Sequence, residues 1–98
     1  MKYLREGFLT QGGLMDKASK RYGFVGIILS DRGQAPAVQR ILSEYGHLVC
    51  GRMGLPHLEN DTLSVITLIV HADTDELGAL TGKLGRISGV SVKSALSK

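Results

Sequence analysis

Residues 63–71, Leu-Ser-Val-Ile-Thr-Leu-Ile-Val-His, are the clearest strand in this 98-residue chain. Aliphatic side chains fill both parities: Leu63, Val65 and Ile69 on one, Ile66, Leu68 and Val70 on the other. Successive side chains of a strand point to opposite faces, so this segment is apolar on both sides and belongs in the middle of a sheet. What flanks it determines which sheet. Upstream, Pro56 to Asp61 (PHLEND) reads as a turn-rich connection, and His47 to Leu55 (HLVCGRMGL) as a less apolar strand that carries Arg52. Downstream, Asp73 as N-cap with Glu76 three residues on makes a capping-box start for a helix. Leu77, Leu80, Leu84 and Ile87 give that helix its apolar stripe, Lys83 and Arg86 suit its closing turn, and Gly89 is placed to end it. Gly78, Gly82 and Gly85 leave part of the helix without bulk, at roughly 1 kcal/mol per glycine relative to alanine. Close approach of another backbone is the expected compensation.

Further out, Val90 to Leu96 (VSVKSAL) alternates apolar and polar residues as a last strand. Tyr22 to Leu29 (YGFVGIIL) reads as the first, again apolar on both faces. Between the first two strands, Val38, Ile41, Leu42 and Tyr45 form one helical stripe. Pro36 suits the start of that helix and Gly46 its C-cap. The order is β-α-β-β-α-β. It predicts an α+β, ferredoxin-like sandwich: a four-stranded antiparallel sheet with two helices on one face. The first and third strands are then central. Arg52 and Lys93 fall on the edges, where charge discourages unwanted pairing.

Two helices cover one side of such a sheet, yet the central strands are apolar on both. Leaving three or four aliphatic side chains wet forgoes on the order of 5–10 kcal/mol, comparable to the stability of a small domain. A second copy of the chain is the simplest cover, through two-fold symmetry, as a homodimer or homotetramer.

Length predicts one domain, residues 21–98, preceded by an arm, residues 1–20, that lacks sustained periodicity. With 43% hydrophobic and 21% charged residues, the composition is that of a globular chain. The net charge of +3 comes from residues 1–21, which hold five basic and two acidic side chains; the rest holds seven of each. The basic balance therefore marks the arm, read as a solvated tail, and nucleic-acid binding is not expected of the domain. One cysteine, Cys50, excludes an internal disulfide and fits a reducing, cytoplasmic setting, with Cys50 read as a small buried residue. No apolar run approaches a membrane span, and residues 1–21 lack the apolar stretch of a secretory signal.

Catalytic motifs are missing: there is no phosphate-binding loop, nucleophile elbow, HExxH or CxxC, so no enzyme activity and no cofactor is expected. His47, Cys50 and His71 are ligand types for nickel or zinc, but their spacing opposes a compact site in one chain. A metal-responsive module that uses them across an interface is the alternative reading. A purely structural dimerisation domain is another.

The better candidate site is the connection Leu29 to Val38, LSDRGQAPAV. Asp31 can cap backbone N–H groups, Gly33 can adopt a positive φ, and the following helix offers unpaired N–H groups to an anion. Arg32 adds a guanidinium fork. Turn chemistry alone explains every residue except Arg32, so ligand site and bare turn stand level. The candidate ligand-binding residues are Asp31, Arg32, Gly33 and Gln34.

A strand, then Asp-Arg-Gly, then a helix, within βαββαβ, resembles the ACT domain, whose turn commonly reads Asp-Arg-Pro-Gly. Here the glycine directly follows Arg32 and the proline comes later, at Pro36. Residues 51–56 (GRMGLP), the strand at 63–70 and residues 77–98 (LGALTGKLGRISGVSVKSALSK) resemble the ACT-like family of iron-only (FeFe) hydrogenase system regulators. That family is similar in fold to the C-terminal domain of nickel-responsive CopG-type regulators. The resemblance implies a regulatory domain that binds a small-molecule effector or a regulatory partner protein near Asp31 to Gln34 and the adjacent end of the second strand, at an interface between subunits. A transcriptional role for the regulated system is part of what it implies.

Overall fold

The computed structural model describes residues 19–98. Within them, four strands pair antiparallel in the order β2-β3-β1-β4: β1 (Arg21–Leu29), β2 (Val49–Leu58), β3 (Leu63–Ala72) and β4 (Val90–Leu96). Two helices, α1 (Ala35–Glu44) and α2 (Thr74–Gly85), follow β1 and β3 and lie on one face of the sheet. This is the ferredoxin-like arrangement, with the two doubly apolar strands in the centre. No described helix is long and apolar enough to cross a membrane.

Parity sets the core. Val25, Ile27 and Leu29 of β1 and Ile66, Leu68, Val70 and Ala72 of β3 point to the helices. There they meet Val38 and Leu42 of α1 and Leu77, Leu80 and Leu84 of α2. Asp73 opens α2 through a complete capping box: its carboxylate accepts from the Glu76 N–H at 2.7 Å, and Glu76 accepts from the Asp73 N–H at 3.0 Å.

The opposite parities meet nothing from the helices. Tyr22, Phe24 and Ile28 of β1, Ile69 of β3, and Met53 and Leu55 of β2 share the bare face. They are all of the exposed large hydrophobic side chains among the described residues, each 45–67% accessible. Tyr22 and His71 stack across the β1–β3 pair there, with ring centroids 4.4 Å apart.

Several local expectations are corrected. β2 runs through Pro56 and His57 to Leu58, because an edge strand tolerates a residue without an N–H. The hairpin tip is left to Glu59, Asn60 and Asp61, all at left-handed φ of 49°, 56° and 71°. Gly46 is not a left-handed cap: Tyr45 is the C-cap of α1, and Gly46–Leu48 continues as a 3-10 turn. Cys50 is exposed rather than buried, since a register shift between Val49 and Gly51 leaves it out of the ladder. α2 ends at Gly85, four residues before Gly89. Among the described residues nothing lies within 4 Å of a Cβ placed at Gly78, Gly82 or Gly85, so no described backbone uses their lack of bulk. Gly23 is where closeness matters: a Cβ there would stand 2.1 Å from the Ala95 carbonyl.

The expected arm lies outside the described residues as far as residue 18. Beyond it, Lys20 pairs with Glu76 at 2.7 Å, and Arg21 donates to Thr74 and to the Ser97 carbonyl.

Candidate functional site

The connection from β1 to α1 is tied down at both ends. The backbone N–H of Ser30 donates to the Gly89 carbonyl at 2.8 Å, and its hydroxyl reaches the same oxygen at 3.2 Å. Gly89 has φ +78°, and a Cβ there would meet that of Asp31 at 2.7 Å, so this crossing needs glycine twice over. Asp31 accepts from the Gly33 N–H at 3.0 Å, and its carbonyl accepts from the Gln34 N–H at 2.9 Å. The result is a 3-10 turn, Arg32–Gln34, that feeds straight into α1. Gly33 lies inside that turn and keeps a negative φ, against the expected positive one. Asp31, Gly33 and Gln34 thus shape the helix entry.

Arg32 leaves the turn for the β2–β3 hairpin. Its guanidinium pairs with the Asp61 carboxylate, whose other oxygen bonds Nδ1 of His57. The hydrogen bond from His57, and next the charge of Arg32, hold Asp61 below the usual carboxylate range. The clasp bridges the start of α1 and the hairpin tip.

Beside it, between α1 and the β2–β3 ribbon, is a cavity of about 320 Å³. Leu29, Val38 and Ile66 give it an apolar floor, and the β2–β3 ribbon walls it at Leu55, Pro56 and Val65. Its polar groups are Arg32, Gln39, Arg52 and Ser64. Arg52 rises from β2 and donates to Oε1 of Gln39 at 3.2 Å. Ser64 donates to the Pro56 carbonyl at 2.8 Å. Among the described residues no acidic side chain lines the cavity. The recess thus sets two guanidiniums, an amide and a hydroxyl beside apolar side chains.

Of the four expected ligand-binding residues, only Arg32 lines this cavity. Arg52, Gln39 and Ser64 do so without having been singled out as site residues; Arg52 is legible in the sequence only as an edge-strand charge. The alternative metal set is not brought together. His47 sits in the turn after α1, Cys50 on the irregular start of β2, and His71 on the bare face. Among the described residues no three His, Cys, Asp or Glu side chains are grouped to hold a metal.

The chain is similar to known proteins at three levels. Residues 21–94 match the TM1266-like family model, described as "Iron-only hydrogenase system regulator, putative". Among solved structures, the uncharacterized protein TM1266 from Thermotoga maritima is 36% identical, with a TM-score of 0.75 over 82% of this chain and 100% of that one. The ACT domain of the GTP pyrophosphokinase from Chlorobium tepidum is 19% identical, with a TM-score of 0.66 over 79% of this chain and all of that one, a likeness of fold. No curated protein matches the sequence.

Proposed function

The chain belongs to the TM1266-like family of iron-only hydrogenase system regulators, and from that premise we propose that it is a non-enzymatic, homo-oligomeric, small-molecule-sensing domain. Two surfaces support the reading: a recess able to hold a small anion, and a bare sheet face suited to a second copy. One observation joins them. The ribbon that walls the cavity at Leu55 and Val65 carries those two side chains, as cross-strand partners, on its other side, at the parity of the bare face. A molecule in the recess therefore sits beside the surface through which subunits would meet.

The mechanism is linkage. A ligand that touches this wall favours whichever assembly geometry it binds better, by its difference in affinity for the two. Regulation then passes to a partner protein through the assembly.

Native mass spectrometry of protein taken directly from cells, with sedimentation of the purified chain, tests this. An oligomer that retains a small molecule, or changes assembly when a metabolite is added, is the expected result. Lone subunits at high concentration would sink the reading. An oligomer indifferent to every metabolite would leave only a structural dimerisation domain.

A further inference from the structure

We propose that the cavity takes a small organic carboxylate with an apolar body and no ammonium group. This deepens the sensing reading above and rests on it. Two guanidiniums reach the recess, but they are not equivalent. Arg32 already has the Asp61 carboxylate and carbonyl. Arg52 has the neutral oxygen of Gln39, and among the described residues no carboxylate forms an ion pair with it. One positive charge at the cavity is thus uncompensated, which suits a single negative charge on the ligand.

The neighbours of Arg52 refine the choice. Gln39 gives its oxygen to Arg52 and so keeps its amide donors for the ligand. The guanidinium fork matches a carboxylate in plane and spacing. Leu29, Val38 and Ile66 are 8% exposed or less, so the floor rewards an apolar body. A volume near 320 Å³ is at the small end for ligand sites and suits a short acid better than a nucleotide. Among the described residues an ammonium group would find no acidic partner in the lining and would face Arg52 instead. That disfavours α-amino acids.

The test is amide-resolved NMR of the full chain, titrated with 4-methylpentanoate and, separately, with leucine, which adds only the ammonium to the same skeleton. The acid should shift the amides of Val38, Gln39, Arg52 and Gly54 saturably, and leucine should bind at least about tenfold more weakly. Arg52→Gln should weaken the acid about tenfold or more while the rest of the spectrum stays in place; Arg52→Lys should fall between. The proposal is overturned if leucine matches the acid, if Arg52→Gln changes nothing, or if the acid leaves these amides unmoved. A metabolite that alters assembly without touching them sinks this inference and spares the sensing reading. An acid that binds here without changing assembly upholds this inference and overturns the linkage of binding to assembly.

Discussion

Arg32 and Arg52 show how much a single residue reveals before it is folded. Asp31 and Gly33 were explicable as turn chemistry, and they are turn residues; Arg32 was the one member of LSDRGQ that the turn did not need, and it leaves the turn to clasp Asp61. Arg52 was hidden for a definite reason. Counting by twos from Val49, whose partner Val70 faces the helices, puts residue 52 on the bare side. The one-residue bulge at Cys50 reverses the parity, so Arg52 pairs with buried Leu68 and turns under α1. A bulge has no reliable sequence signal, and the place of Arg52 in the cavity depends on it. The clasp makes a prediction of its own. Asp61 has a depressed folded pKa, so its stabilising effect is present above the unfolded carboxylate value, about 3.9, and is lost as pH falls through the folded value. Melting temperature against pH should therefore be flatter for Asp61→Asn than for the wild type on the acid side, as pH falls through and below the unfolded carboxylate value. Glu76, depressed by hydrogen bonds from Lys20 and the Asp73 backbone, should keep a separate share of that slope in the same variant. Parallel curves for variant and wild type would mean that the clasp contributes nothing.

Elements were more legible than their ends. Both helices and β4 follow from apolar periodicity and β1 and β3 from short unbroken apolar runs, because burial selects for both patterns regardless of detail. Ends depend on local competition. β2 outran its expected stop because Pro56 sits where an edge strand needs no donor, and α2 stopped short because Gly85 and Arg86 close it before Gly89 is reached. The glycines of α2 give the sharpest test. With open space around it, Gly82→Ala should add about 1 kcal/mol of stability, read by denaturant unfolding. Asp73→Ala should remove about 1 kcal/mol by breaking the capping box. A destabilising Gly82→Ala would show that its surface is packed in the assembled protein, contrary to its openness in the lone subunit.

For the whole molecule, the determining fact is that the exposed large hydrophobic side chains among the described residues all lie on one side. The sequence predicts this asymmetry, since a strand apolar on both parities in a two-layer fold must show one of them to something. Lys93 is the one charged side chain at that parity on the four strands, opposite Gly26 near the β4 edge. A charge-poor centre with charge at the rim is the pattern of a subunit interface. Ile69 lies at that centre, paired with Phe24 on one side and Gly51 on the other, and is 47% exposed in the lone subunit. Ile69→Lys should leave the folded subunit nearly as stable, because water still reaches the new ammonium. In a dimer the same ammonium would be buried unpaired, at a cost of about 3–5 kcal/mol, or a dissociation constant raised by more than about a hundredfold. Sedimentation should then find monomers where the wild type associates, with an unchanged far-ultraviolet spectrum. Lys93→Ala, at the rim, should stay assembled. If Ile69→Lys sediments as the wild type does, subunits meet elsewhere, and the cavity wall at Leu55 and Val65 loses its route to the assembly.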